Sequence, residues 1–326
     1  MKAKHIYNLA AAVLMAGLVS CQEKAGVAPV ALNASSIYAE AQEGQVTLHW
    51  DIPSNADYHY VQVNYTLPED EFGNPKECMR TASIYADEMV IDGLLARYGA
   101  IEYTIRTVSY DGTPSPETRI SAQCLPVQPS YAYAPQGPLS LSTKGIWSNK
   151  GEYYEGPITD LLDGNTGTYF HSTYTGYIKV YDGESWDNLW DATDPGCPIY
   201  IVVKLPKAVQ AFSFSIVNRN NSNRSNPETV EVYVSDDFSG GVGDYEESYD
   251  ELFDTEKYGA RYLGTVSGMP DGQGSSYTSP VFADVEDSFT YVWLKVTNIT
   301  NGKNFIAVST LDITEYSVFV DDPEVK

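Results

Sequence analysis

The chain has 326 residues, room for about two domains of ordinary size. It carries 44 acidic against 20 basic side chains, a formal net charge of −24. A surface of that sign repels phosphate backbones and excludes nucleic acid as a partner, while its carboxylates suit hard cations such as Ca²⁺. The first element is N-terminal. Lys2 and Lys4 open the chain, an apolar stretch runs over 9–19, and small residues lead to Cys21. That order predicts a secretory signal peptide over 1–20. The apolar run is shorter than the about 20 residues a membrane-spanning helix needs. Removing Lys2 and Lys4 with it leaves 18 basic against 44 acidic residues, or −26.

Leu18-Val19-Ser20-Cys21 resembles a bacterial lipobox. The resemblance implies acylation of Cys21 and anchoring to outer-membrane lipid, each buried CH₂ contributing about 0.8 kcal/mol. Gln22-Glu23-Lys24, acidic just after that cysteine, resembles the surface-export signal of Bacteroidetes lipoproteins. Residues 21–34 would then be a lipidated tether. Three cysteines remain, Cys78, Cys124 and Cys197. The odd count argues against a full disulfide framework, and Cys78 and Cys124 can pair only if their Cα atoms stand close.

After Cys21 no segment has the 3.6-residue period of a long amphipathic helix. Alternating runs recur instead: Val46-Thr47-Leu48-His49-Trp50, Tyr60-Val61-Gln62-Val63-Asn64-Tyr65, Tyr103-Thr104-Ile105-Arg106-Thr107-Val108, Tyr200-Ile201-Val202-Val203, Val230-Glu231-Val232-Tyr233-Val234 and Tyr291-Val292-Trp293-Leu294-Lys295-Val296. Period two with β-branched and aromatic residues predicts strands, and many short strands between turns predict an all-β chain of sandwiches. Pro126, Pro129, Pro135 and Pro138 mark 125–138 as a semi-rigid linker, because proline cannot join a central ladder. Modules are therefore expected at 35–124 and 139–320, with a tail over 321–326. The Gly-rich, then acidic stretch 239–258 reads as an exposed insertion between strands.

The first module resembles a fibronectin type III domain, an immunoglobulin-like sandwich. The resemblance rests on Gly44 to Trp50 with Pro53, Ile91-Asp92-Gly93-Leu94, and Tyr103 to Ser115. It implies that Trp50 fills the core between two sheets and that the tyrosine after the Gly-Leu turn forms the family's tyrosine corner. No ligand constellation is visible there, so the module is expected to be a spacer.

The second module resembles a coagulation factor 5/8 type C (discoidin) domain, a jelly-roll sandwich shared with carbohydrate-binding modules of family 32. Ile158-Thr159-Asp160-Leu161-Leu162-Asp163-Gly164-Asn165-Thr166-Gly167-Thr168-Tyr169-Phe170-His171-Ser172 carries the resemblance most strongly. Pro198 to Leu205, Phe212 to Arg219, Asn226 to Asp237 and Leu311 to Tyr316 follow in family order. It implies a structural Ca²⁺ on Asp163, Asn165, Thr168 and Asp312, the last standing where the family usually has Glu. It also implies a glycan face built from the loops 170–198 and 218–226. Tyr174, Tyr177, Trp186 and Trp190 are the stacking candidates, and His171, Arg219, Asn223 and Arg224 the hydrogen-bonding ones. Aromatic planes suit the C–H faces of a sugar, and polar side chains its hydroxyls. Exposed aromatic patches often mark binding sites, and the alternative is that Trp186 or Trp190 folds back as a loop anchor.

The sequence contains no H-E-x-x-H, G-x-S-x-G or phosphate-loop pattern, and two binding folds account for the chain, so no catalytic role is expected. The function implied is capture of polysaccharide or oligosaccharide by an outer-membrane lipoprotein at the cell surface, beside a nutrient-importing outer-membrane receptor complex, with the periplasmic face as the alternative orientation. Two other classes are a protein-binding adhesin or assembly lipoprotein and a glycoside hydrolase, which needs only two carboxylates at the right separation.

Overall fold

The computed structural model describes residues 26–69, 72–150, 156–172, 196–222, 225–239 and 251–325, with the backbone of 177–181 and 186–190. Cys21, Tyr174, Asn223 and Arg224 lie outside the described residues. The chain is all-β, as its alternation predicts. It forms two compact units. One runs to Pro129 and takes in the chain again from Asp322; the other is Ser130–Asp321. No helix among the described residues is long and apolar enough to cross a membrane.

The first unit has strands β1 (Tyr38–Gln42), β2 (Gln45–His49), β3 (Tyr60–Leu67), β4 (Lys76–Ser83), β5 (Glu88–Asp92), β6 (Ile101–Val108) and β7 (Thr118–Ala122). They form two antiparallel sheets, β1-β2-β5 and β4-β3-β6-β7. Alternation puts Val46, Leu48, Val61, Val63, Ile91, Tyr103 and Ile105 in the core between them. Each such aliphatic side chain contributes about 1.5–3 kcal/mol on burial. Trp50 is buried there, and its indole N–H donates to Ala86 O at 2.8 Å. Tyr103 is wholly buried, but its hydroxyl has no hydrogen-bond partner, and burial pushes the phenol well above its ordinary pKa. Cys78 and Cys124 are both free thiols and do not pair with each other.

The expected tail belongs to this unit. The Glu324 carboxylate accepts the N–H groups of Ala96 (3.0 Å), Arg97 (2.9 Å) and Val127 (2.9 Å), and Arg97 Nε donates to Pro323 O at 3.0 Å. Three donated N–H bonds, not tail length, decide that these residues are held.

The second unit continues with β8 (Ser130–Pro138), β9 (Ile146–Ser148), β10 (Phe170–His171), β11 (Tyr177–Tyr181), β12 (Trp186–Trp190), β13 (Ile199–Val209), β14 (Ala211–Asn218), β15 (Pro227–Ser235), β16 (Arg261–Ser267), β17 (Ser276–Thr278), β18 (Phe282–Ala283), β19 (Phe289–Ile299) and β20 (Ala307–Asp321). A five-stranded sheet, β16-β15-β19-β13-β9, packs on a sheet ordered β10-β20-β14-β17, with β18 on β14 and β8 on β20. Phe170, Phe212, Phe214, Phe289, Val292 and Leu294 lie in the core between them.

Two sequence expectations are corrected here. The Pro-rich stretch is a linker only as far as Pro129; from Ser130 it is β8, paired with β20 from Ser130↔Asp321 to Pro138↔Thr314. It pairs with β20 alone, at the edge of the sheet, where a missing N–H costs no ladder bond. Nor is 239–258 merely an exposed insertion. Phe238, Leu252 and Phe253 are buried with Tyr200, Val202, Tyr291 and Trp293 in a second apolar layer on the outer face of the five-stranded sheet. Two-sided burial explains the unbroken apolar run Ile199-Tyr200-Ile201-Val202-Val203: Ile201 and Val203 face one core, Tyr200 and Val202 the other.

Candidate functional site

The two loops singled out in the sequence start and end on one short segment, residues 304–307, where the chain leaves β19 and enters β20. The first loop departs at Ser172. Ser172 N–H donates to Ile306 O at 3.0 Å, and Ile306 N–H donates back to Ser172 Oγ at 2.9 Å. It returns at Gly196, whose φ is +79°; a Cβ there would meet Asn304 O at 2.6 Å, so only glycine fits. The second loop leaves at Arg219, whose N–H donates to Ala307 O at 3.2 Å. It closes at Ser225, whose carbonyl accepts Ala307 N–H at 2.8 Å. Thr300 and Asn226 exchange two further bonds at 3.0 Å, and Asn218 Nδ2 donates to Pro270 O at 2.7 Å and Ser275 Oγ at 3.0 Å. The loops 172–196 and 219–225 are thus rooted side by side at one end of this sandwich.

Between the stems of the first loop, β11 and β12 form a two-stranded antiparallel ribbon. Its register sets Tyr177 opposite Trp190, Lys179 opposite Asn188 and Tyr181 opposite Trp186. Opposed residues share a face and period two repeats it, so Tyr177, Tyr181, Trp186 and Trp190 fall on one face of the ribbon.

His171, a hydrogen-bonding candidate in the shared fold motif, lies at the root of the first loop. It is buried at 3% exposure, stacked on Phe305 at 4.6 Å between ring centroids, with Nδ1 2.6 Å from Ser172 O. Its backbone pairs with Ala307 in β20, so it braces the root of the loops from inside. Arg219 is half-buried at the mouth of the second loop. Its guanidinium carbon lies 3.4 Å from the centroid of the Tyr169 ring, a cation–π contact that holds the side chain in place.

The D-G-N turn is locally tied. Asp163 Oδ1 accepts Asn165 N–H at 2.7 Å, Asp163 Oδ2 accepts the Thr168 hydroxyl at 2.7 Å, and Asn165 O accepts the same hydroxyl at 2.8 Å. Donation from Thr168, and then from Asn165 N–H, holds the Asp163 carboxyl below its ordinary pKa. Asp160 is raised by burial and by the neighbouring Asp163 charge, with Tyr169 N–H opposing. The turn reaches β20 through Ser309 Oγ, which donates to Thr166 O at 3.3 Å. Asp312, three residues further along β20, is exposed and makes no bond to Asp163, Asn165 or Thr168. Asp163, Asn165 and Thr168 are thus tied to one another by hydrogen bonds within the turn, while Asp312 belongs to β20. Among the described residues no group of three His, Cys, Asp or Glu is placed to hold a metal ion. A hard cation at the turn would have Asp163 as its charged ligand, with the Asn165 carbonyl and Thr168 hydroxyl as neutral ones, a donor set of the right chemistry.

Sequence reasoning missed Tyr169 as the support of Arg219 and missed the 304–307 root altogether. Ser172 and Ile306 are 134 positions apart and carry no local pattern.

No family model matches the chain and no curated protein matches it. Solved structures similar to it include a family 32 carbohydrate-binding module of a Clostridium perfringens GH89 protein in complex with GalNAc-beta-1,3-galactose, 17% identical, covering 54% of this chain and 98% of that one at a TM-score of 0.36. The family 32 module of Clostridium perfringens NanJ in complex with galactose is 14% identical, covering 55% and 99% at 0.34. A SusE-like protein is 12% identical, covering 86% of this chain and 96% of its own at 0.34.

Proposed function

We propose that the second unit is a non-catalytic carbohydrate-binding module, and that the chain is a lipoprotein, acylated at Cys21, that presents it at the cell surface to capture polysaccharide for a glycan-utilisation system. The observation that carries this reading is the rooting of both loops on 304–307, together with the register of the first loop's ribbon, which pairs Tyr177 with Trp190 and Tyr181 with Trp186. An aromatic face stacks on sugar C–H groups, and adjacent polar and basic residues reach the hydroxyls. The first unit, with its three-on-four strand arrangement and buried Trp50, acts in this reading as a fibronectin type III-like spacer. A Ca²⁺ on Asp163 and the neighbouring turn oxygens would stiffen the 163–168 turn next to β20 without taking part in binding.

The test is a glycan-array screen of the soluble chain, beside a Trp186→Ala/Trp190→Ala double variant. The expected result is retention of at least one polysaccharide by the wild type and its loss by a variant with an unchanged melting profile. Equal binding by both proteins, or none by a folded wild type across the panel, overturns the reading.

A further inference from the structure

The described residues include six arginines, and five of them face a carboxylate. Arg80 meets Asp92 at 2.5 Å, Arg106 meets Glu117 at 3.8 Å, Arg119 meets Glu102 at 3.0 Å, Arg261 meets Asp284 at 2.5 Å, and Arg97 pairs with Glu69. Arg219 is the exception. Among the described residues its side chain makes no ion pair and no hydrogen bond, and its guanidinium carbon lies over the ring of Tyr169 at 3.4 Å. In a chain with 44 acidic against 20 basic residues, a carboxylate partner is easily supplied, and the other five arginines have one.

Stacking on a ring uses the flat face of a guanidinium and leaves its edge, with the N–H fork, for another acceptor. The fork matches a planar carboxylate through two parallel hydrogen bonds. The backbone N–H of Arg219 is fixed to Ala307 O, so the fork is held at the mouth of the loops before any ligand arrives. We propose that Arg219, held on Tyr169, is the docking point for the carboxylate of an acidic sugar, so that the ligand is a uronate-bearing or otherwise carboxylated glycan. This rests on the glycan-binding reading above and adds its substrate class. The chain's overall negative charge does not oppose it, because at physiological ionic strength charges more than about 8 Å away are largely screened, whereas a contact pair is not.

The test uses the whole soluble chain and matched polymers: polygalacturonate and hyaluronan, each beside its carboxyl-reduced form, with neutral galactan and a sulfated galactan in the same titration. Carboxylated polymers are expected to bind about 10- to 100-fold more tightly than their carboxyl-reduced forms, the range of one charge-assisted bidentate contact. Arg219→Gln is expected to erase that preference. Arg219→Lys, which keeps the charge but loses the fork and the stack, is expected to retain only part of it and serves should the Gln variant not fold. Equal binding of reduced and carboxylated polymers, an acid preference that survives in Arg219→Gln, or sulfated galactan bound as tightly as polygalacturonate would overturn the proposal and leave glycan binding standing. Binding to none of the polymers, neutral ones included, would overturn both.

Discussion

Phe253→Ala tests whether the acidic stretch after β15 is a packed layer of the second unit. Phe253 is 1% exposed, with its ring 5.2 Å from that of Phe238 and 6.1 Å from that of Tyr200. Behind them Trp293 is wholly buried, 4.9 Å from Phe238, and donates its indole N–H to Ser235 Oγ at 2.8 Å. Truncating a buried phenylalanine removes its transfer free energy and leaves a cavity, together about 3–5 kcal/mol. In a unit of this size each kcal/mol lowers the melting temperature by about 2–4 °C, so the expected fall is about 6–20 °C. Calorimetry on the whole chain, fitted as two transitions, reads it, and the loss belongs to the transition of the unit containing Trp293. Indole fluorescence should shift to the red in the folded variant as water reaches Trp293. A solvated insertion would instead give a change within about 0.5 kcal/mol. A shift under about 2 °C with unchanged fluorescence would refute the packed layer.

Contacts elsewhere in the chain give three further outcomes. Ser172→Ala removes the acceptor of the Ile306 N–H, leaving a buried donor unpaired at a cost of about 1–3 kcal/mol; amide exchange at Ile306 should rise, and glycan affinity should fall as the loop root loosens. At Glu324, burial pushes the carboxyl up, but the N–H groups of Val127, Ala96 and Arg97 and the Arg97 charge outweigh it and hold its pKa below the ordinary glutamate value. A depressed folded pKa gives stability that is full above the unfolded value and is lost as pH falls through the folded one. Glu324→Gln should therefore melt below wild type at pH 7, with the difference closing below about pH 4, the ordinary glutamate range; an unchanged difference at pH 3 would show the contact to be uncharged in effect. If Asp163 holds Ca²⁺, chelation should lower the melting temperature of the second unit, and Asp163→Asn should abolish that response; a melt indifferent to chelator would remove the ion from the account.

What the sequence disclosed and what it hid divide along physical lines. Strands were legible wherever one face is buried, because period two then shows in composition. Val46, Leu48, Val61 and Val63 lie on such strands, and all are in the core. Two-sided burial erased the alternation in β13, and the run still announced a strand through its β-branched residues. Proline misled at 130–138 because its prohibition holds for central strands, and whether a strand is central is a property of the finished sheet. Acid misled at 239–258 because average polarity conceals a few anchors: Leu252 and Phe253 are buried in one layer with Phe238, which precedes the stretch.

The site shows the same division more sharply. Its chemistry was visible, since tryptophans in a polar loop and arginines in an asparagine-rich one are unusual compositions. Its geometry was not, because the root is made of backbone bonds between Ser172 and Ile306, Arg219 and Ala307, and Ala307 and Ser225. Backbone donors belong to every residue, so no residue type advertises them. The placement of His171 has the same origin. A histidine in a loop motif suggests a polar contact, but its ring lies on Phe305 and its backbone pairs with Ala307, so the polar group is used inside. Arg219 is the converse case. Its type gives no reason to prefer it over the five arginines that neutralise carboxylates; only the three-dimensional pairing leaves it as the described arginine with its charge unspent, at the place where the two loops meet.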